Sequence, residues 1–227
     1  MSSFSIFNFQ FSIIMKRRST KQVKIGEIYI GSEYPVLVQS MLNTDTMNTE
    51  ACVEQAIRII EAGGKLVRIT APGIKEAKNL ENIHVELRRR GYTTPLSADI
   101  HFNPEAAIEA ARHVEKVRIN PGNFVDKRAT FKTLTYTDEE YAAELERLRE
   151  KFTVFLDVCR EYGTAVRIGT NHGSLSDRIM SRYGNTPAGM VEATMEYLRV
   201  CRDEKFDDVV ISLKSSDCRV MVEAVRL

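Results

Sequence analysis

The sequence has almost no net charge: 32 Lys and Arg stand against 31 Asp and Glu, a formal net charge of +1. A large excess of either sign would point to nucleic acid or a membrane surface, and neither partner is expected. The densest basic runs, Lys16–Arg18 and Arg88–Arg90, read as solvated faces. Long apolar runs are also lacking; none approaches the roughly 18 residues of a membrane span. The opening stretch has no basic residue ahead of its apolar part, unlike a secretory signal. Met15, followed by Lys16-Arg17-Arg18, is a candidate start, with residues 1–17 an N-terminal extension expected to be disordered. Cysteine is sparse: Cys52, Cys159, Cys201 and Cys218 include no pair at CxxC spacing, so neither a metal site nor a disulfide frame is read from them. The first three fall on predicted helices as small buried hydrophobes, and a reduced, cytoplasmic protein is expected. No Gly-rich fingerprint follows the first predicted strand, which argues against a dinucleotide fold.

What is present is ordinary for a globular chain, 43% hydrophobic and 28% charged over 227 residues. Hydrophobic periodicity predicts strands at Pro35–Met41, Leu66–Thr70, Leu96–Ile100, Lys116–Asn120, Ala165–Thr170 and Asp208–Lys214. Helices are predicted between them at Thr49–Ala62, Ile74–Arg90, Pro104–His113 and Pro187–Asp203. A capping box at Thr137–Glu140 opens a further helix to about Tyr162, with Tyr141, Leu145, Leu148, Phe152 and Phe155 on its core face. A last helix begins near Ser216 and runs to Leu227 without a cap, so the chain reads as part of a longer polypeptide. Strands alternating with helices at this spacing predict parallel βαβ units. An open doubly wound sheet and a closed eight-fold barrel both satisfy that order.

The tripeptide Val-Arg-Ile, which occurs at Val67–Ile69, Val117–Ile119 and Val166–Ile168, separates them. Strand side chains alternate faces, so Val and Ile point one way and Arg the other. With the branched residues packed outward against helices, Arg68, Arg118 and Arg167 face a shared interior, which a barrel has and an open sheet lacks. The expected fold is therefore α/β, a TIM-type (β/α)8 barrel with about six of its eight βα units present, since a complete one takes about 250 residues. Unpaired buried cations are costly, so the arginines imply a multiply charged anion or an equal set of carboxylates.

Strand phase adds companions at the C-terminal mouth, where barrel sites form. Asp99 and His101 share a face, as do Arg118 and Asn120, and Arg167, Gly169 and Asn171; Ser212, Lys214 and Ser216 follow inward. Arginine's planar fork suits phosphate and a lysine adds a point charge. The number of cations favours a diphosphate or bisphosphate over a single carboxylate. Other readings stand beside this one. Asp99 could form a structural ion pair with Arg68 or Arg118, and His101 and His172 could be loop histidines bonded to backbone. Lys214 could be a Schiff-base lysine of a phosphosugar aldolase or isomerase, though its arginine company favours an anion contact. His84 and His113, on helices, read as structural.

Taken together, these segments resemble the hydroxymethylbutenyl diphosphate synthases, the IspG (GcpE) family of the non-mevalonate (MEP) isoprenoid pathway. The matching residues are Val38-Gln39-Ser40-Met41 with Asn43-Thr44, Val67-Arg68-Ile69, Ala98-Asp99-Ile100-His101-Phe102 and Arg118-Ile119-Asn120-Pro121-Gly122-Asn123. Arg167-Ile168-Gly169 with Asn171 and Gly173-Ser174-Leu175, and Lys214-Ser215-Ser216-Asp217, continue the match. The resemblance covers roughly Arg18 to the C-terminus. It implies a substrate-binding barrel over residues 18–227 that holds the diphosphate of methylerythritol cyclodiphosphate. Arg68, Arg118, Arg167 and Lys214 would grip it, His101, Asn120, Asn171 and Ser216 would stand beside them, and Asp99 would orient the group. It further implies reductive ring opening on a [4Fe-4S] cluster held by a separate C-terminal iron–sulfur domain absent here. Electrons would come from ferredoxin or flavodoxin, and the full-length protein would be a homodimer. The long segment Pro121–Tyr162 resembles the family's three-domain form. No residue of this chain is assigned a catalytic or metal-binding role, and the chain alone is expected to be inactive. A pterin-binding barrel is a structural cousin whose substrates would call for fewer cations.

Overall fold

The computed structural model describes residues 18–126 and 135–227; the expected extension over residues 1–17 lies outside them. The described chain opens with a hairpin, β1 (Val23–Ile25) and β2 (Ile28–Ile30), paired antiparallel with Val23 opposite Ile30. A parallel sheet then builds in chain order: β3 (Gln39–Met41), α1 (Thr49–Glu61), β4 (Leu66–Thr70), α2 (Ile74–Arg89), β5 (Leu96–Asp99), α3 (Pro104–Ala111) and β6 (Lys116–Ile119). After β6 come α4 (Pro121–Phe124), α5 (Asp138–Tyr162), β7 (Ala165–Asn171) and a 3-10 turn at His172–Ser174. The last elements are α6 (Asp177–Tyr183), α7 (Pro187–Asp203), β8 (Val209–Lys214) and α8 (Cys218–Arg226).

Strand order β3-β4-β5-β6-β7-β8 follows the sequence, as right-handed βαβ crossovers demand. The sheet curls into a half-barrel, with the expected alternation of faces. Val67, Ile69, Val117, Ile119, Val166 and Ile168 are fully buried in the core shared with the helices. Each such side chain contributes about 1.5–3 kcal/mol when buried. The helices present matched faces: Leu80, Ile83 and Leu87 from α2, and Phe152, Phe155 and Leu156 from α5. Phe124 of α4 sits edge-on to Phe155, ring centroids 5.6 Å apart, and ties the segment after β6 to the core. Leu145, expected in the core, is half-buried.

Caps define the helix starts. Asn48 accepts from Ala51 N at 3.1 Å, and Asn103 accepts from Glu105 N at 3.0 Å ahead of Pro104. The capping box forms as expected, Thr137 Oγ1 accepting from Glu140 N at 3.2 Å and Glu140 accepting from Thr137 N at 2.9 Å. Cys52, Cys159 and Cys201 are buried, and burial pushes the Cys201 thiol up to about 12.

Three features depart from the sequence reading. The first sheet strand is three residues rather than seven: it is an edge with one neighbour, and Val36 and Val38 stand exposed. The hairpin was not anticipated; Val23 and Ile25 pack with Leu66 and Ala165 and close the N-terminal end of the strands. α6 was not anticipated either. Its Arg178 is buried and forks onto Glu196 of α7 at 2.7 and 2.8 Å, reaching Asp126 at 3.0 Å. Tyr141 donates to Glu196 at 2.5 Å, and Arg178 lies 4.7 Å above the Tyr141 ring. Among the described residues no helix is long and apolar enough to cross a membrane.

Candidate anion site at the barrel mouth

Register places the arginines side by side. Met41 pairs with Arg68, Arg68 with Ser97, Asp99 with Arg118, and Arg118 with Arg167. All three guanidiniums therefore lie on the concave face of the sheet, toward the C-terminal ends of its strands. Arg118 is the most enclosed, 1% exposed, while Arg68 and Arg167 are half-buried.

Asp99 is the hub. Its carboxylate accepts from Arg68 and, at 3.0 Å, from Arg118, and it lies 3.2 Å from His101 Nε2. Burial pushes this carboxyl up. The bond to His101 and the charges of Arg118 and Arg68 outweigh burial and hold it well below the usual carboxylate range. Arg118 also donates to Gly169 O at 2.8 Å. Gly169 has to be glycine for that approach, since a Cβ there would lie 2.6 Å from Arg118 Nε.

Among the described residues no carboxylate is bonded to Arg167. It donates through Nε and one terminal nitrogen to Ser212 Oγ, at 3.0 and 2.9 Å. Burial pulls its pKa down, reinforced by Arg68 and Arg118. Lys214, register partner of Asn171 and exposed at the end of β8, is shifted down by burial and then by Arg118, Arg167 and Arg68. That common influence puts Lys214 in the same field as the arginines. Among the described residues the cations thus outnumber the carboxylate that answers them, and the Nε atoms of Arg68 and Arg118 are buried without a hydrogen-bond partner.

The loops after β6 and β7 meet at the rim. Asn120 donates to Ser174 Oγ at 2.9 Å, while Asn120 Oδ1 is buried and has no partner among the described residues. A Cβ on Gly122 would fall 1.6 Å from Ser174 O, so these backbones touch directly. Ser174 Oγ donates to Asn171 O at 3.3 Å. His172 stands beside the site, Nε2 at 3.0 Å from Asn185 O and Nδ1 at 3.4 Å from Ser215 Oγ. Ser216 is exposed on the turn before α8. Arg68, Asp99, His101 and Arg118 form one bonded cluster, Arg167 and Lys214 flank it, and Asn120, Asn171 and Ser216 lie along the rim. Sequence reasoning missed Lys116, buried on the same face two residues before Arg118; the strand period that placed Arg118 inward contained that signal.

The family model described as the GcpE TIM-barrel domain matches residues 20–227. The chain belongs to the GcpE family. Relatives named 4-hydroxy-3-methylbut-2-en-1-yl diphosphate synthase (flavodoxin) include that of Bacteroides fragilis, 62% identical over 211 residues, with 93% of this chain and 34% of the relative covered. The protein of that name from Chlorobaculum tepidum is 52% identical over 212 residues, covering 93% and 28%. This GcpE-family chain thus spans about a third of the length of the curated relatives it matches. Among solved structures, a phospho-2-dehydro-3-deoxyheptonate aldolase from Thermotoga maritima is similar with a TM-score of 0.52 at 14% identity, covering 92% of this chain and 52% of that one. β-Methylaspartase from Clostridium tetanomorphum gives 0.51 at 13%, covering 86% and 43%. At such identity these likenesses speak to the fold alone.

Proposed function

We propose that residues 18–227 are the substrate-holding barrel part of a 4-hydroxy-3-methylbut-2-en-1-yl diphosphate synthase. Its ligand would be the diphosphate of 2-C-methyl-D-erythritol 2,4-cyclodiphosphate. The observation that carries this reading is the charge imbalance at the mouth: Arg68, Arg118, Arg167 and Lys214 converge where Asp99 is the carboxylate that answers them. A diphosphate supplies the missing negative charge and enough oxygens for the unpartnered guanidinium nitrogens. Asp99 would hold Arg68 and Arg118 in position, and His101 would hydrogen-bond the ligand from the edge of the cluster. Asn120 Oδ1, Asn171 and Ser216 would meet ligand hydroxyl and phosphate groups.

The reaction carried by the whole polypeptide would be a two-electron reductive ring opening with loss of water, in the cytoplasm. The relatives' name points to flavodoxin as donor, and the whole protein would act as a homodimer with a [4Fe-4S] cluster. The described residues do not fit such a cluster: they hold no group of three or more His, Cys, Asp or Glu able to bind a metal, and Cys52, Cys159 and Cys201 are dispersed through the core. No step is therefore assigned to it here. This chain's part is binding and orientation.

Calorimetry with the cyclic diphosphate tests the reading. The chain should bind it, and Arg118→Ala should weaken binding roughly tenfold or more, since hydrogen bonds to charged groups contribute about 1.5–3 kcal/mol. No binding, or no loss on substitution, sinks it. Turnover by the 227-residue chain with a chemical reductant would refute the assignment of the chemistry elsewhere. The aldolase alternative predicts a borohydride-trapped adduct on Lys214, which the anion reading does not.

A further inference from the structure

Beneath the mouth lies a second polar layer whose lysine the diphosphate reading leaves unused. Lys116, at the start of β6, is 5% exposed and faces the concave side two residues below Arg118. Its ammonium donates to Gln39 Oε1 at 3.3 Å, a long bond to a neutral acceptor. An ammonium has three donors and is costly to bury without a counter-charge.

Among the described residues the neighbours offer none. Gln39 comes from β3, Arg68 from β4, Ser97 from β5, Arg167 from β7 and Ser212 from β8. Asp99, nearer the mouth, is already engaged by Arg68, Arg118 and His101. Glu115, next to Lys116 in the chain, is bonded to His84 and Arg88 on the helical side. Ser97, register partner of Lys116, has a buried Oγ without a partner. Lys116, Arg167 and Gln39 line a cavity of about 390 Å³ together with Ile30, Gly31 and Pro35–Leu37. Burial, then Arg167 and Arg68, push the Lys116 ammonium down to about 7.

We infer that this cavity is a second anion site, adjoining the mouth and sharing Arg167 with it, in which Lys116 and Arg167 take a single carboxylate group. A carboxylate suits the layer better than a phosphate, because two cations and neutral donors ask for one negative charge. Its defining residue, Lys116, lies outside the mouth, so its occupation can be read apart from the diphosphate reading. Its occupation is linked to pH. The anion binds the protonated lysine, so affinity is greatest below the midpoint of the unliganded ammonium and fades as pH rises through the liganded one.

The test follows the Cε resonance of Lys116 in lysine-labelled protein from about pH 5 to about pH 10, in chloride buffer, in formate and in pyrophosphate. Loss of the signal in Lys116→Met identifies it; should that variant fail to fold, through-bond assignment does so. The expected result is a midpoint near neutrality in chloride and an upward displacement of roughly one unit in saturating formate, a tenfold preference for the protonated form. Arg118→Ala should leave the formate response intact while weakening pyrophosphate at the mouth, so the two sites succeed or fail separately. A midpoint near 10, one that formate does not move, or a formate response lost in Arg118→Ala would overturn the proposal. N-acetyl-aspartate methylamide distinguishes sources: tighter binding than formate marks a site for an acidic side chain, weaker binding one for a free small acid.

Discussion

Two arginine–carboxylate clusters in this molecule are built from the same residue types and do opposite things. Around Arg178, one buried guanidinium meets two carboxylates, Glu196 and Asp126, and a tyrosine hydroxyl shares the load on Glu196. Around Asp99, one carboxylate meets two guanidiniums, and Arg167 and Lys214 stand close with no acid of their own. The first is closed, with charge answered within the protein. The second has positive charge left over; an unpartnered buried Nε does not tell them apart, since Arg178 has one as Arg68 and Arg118 do among the described residues. Burial does not separate them, because Arg118 and Arg178 are both nearly inaccessible. The ratio of acids to bases does: a buried ion pair is poor evidence of function, whereas a buried surplus of one sign asks for something from outside.

The difference can be broken from either side. Arg178→Ala should have the largest effect: it leaves Glu196 buried without a counter-charge and Asp126 with only Arg147, 3.8 Å away, at about 3–5 kcal/mol of stability. Urea unfolding should show the loss, while pyrophosphate affinity measured under folding conditions stays unchanged. Arg167→Ala should do the reverse. It removes a cation bound only to a hydroxyl, so unfolding should shift little and pyrophosphate affinity should fall by about 1.5–3 kcal/mol. Equal stability losses in the two variants would erase the distinction.

Asp99→Asn probes the hub. Because the folded-state pKa of Asp99 is depressed, its stabilisation is complete above the unfolded value of about 3.9 and is lost as pH falls through the folded one. The wild type should therefore lose stability steeply below about pH 4, and the variant should lack that part of the slope. Removing the negative charge should also tighten pyrophosphate severalfold, whereas Glu196→Gln should not. Lys214→Ala should be smallest. An exposed point charge is worth about 0.2–1 kcal/mol, and the difference should vanish near 1 M salt, where the Debye length is about 3 Å.

Much of this site was legible because strand period is a strict rule. Val-Arg-Ile in three parallel strands fixes which side chains face inward, and the register bears this out for Arg68, Arg118 and Arg167. The ion pairs of Asp99 were one of two readings left open, since a strand pattern places side chains on a face without saying which of them bond. Lys116 obeys the same period, but it lies at the N-terminal start of β6, away from the strand C-termini where barrel sites form. The hairpin escaped because strands of three residues carry too little alternation to register. Arg178 was hidden by distance: its partners Asp126 and Glu196 lie 52 and 18 residues away, and only the packing of α6 on α7 brings them together.

The touch between Gly122 and Ser174 O has a mechanical consequence. Two loops joined by side chains can part and re-form by turning a rotamer; two loops whose backbones rest on each other cannot. The rim after β6 and the rim after β7 therefore cannot move closer together, so the mouth cannot narrow on that side. Substitution at Gly122 would then act as a wedge, prising open a rim whose charged residues were never altered.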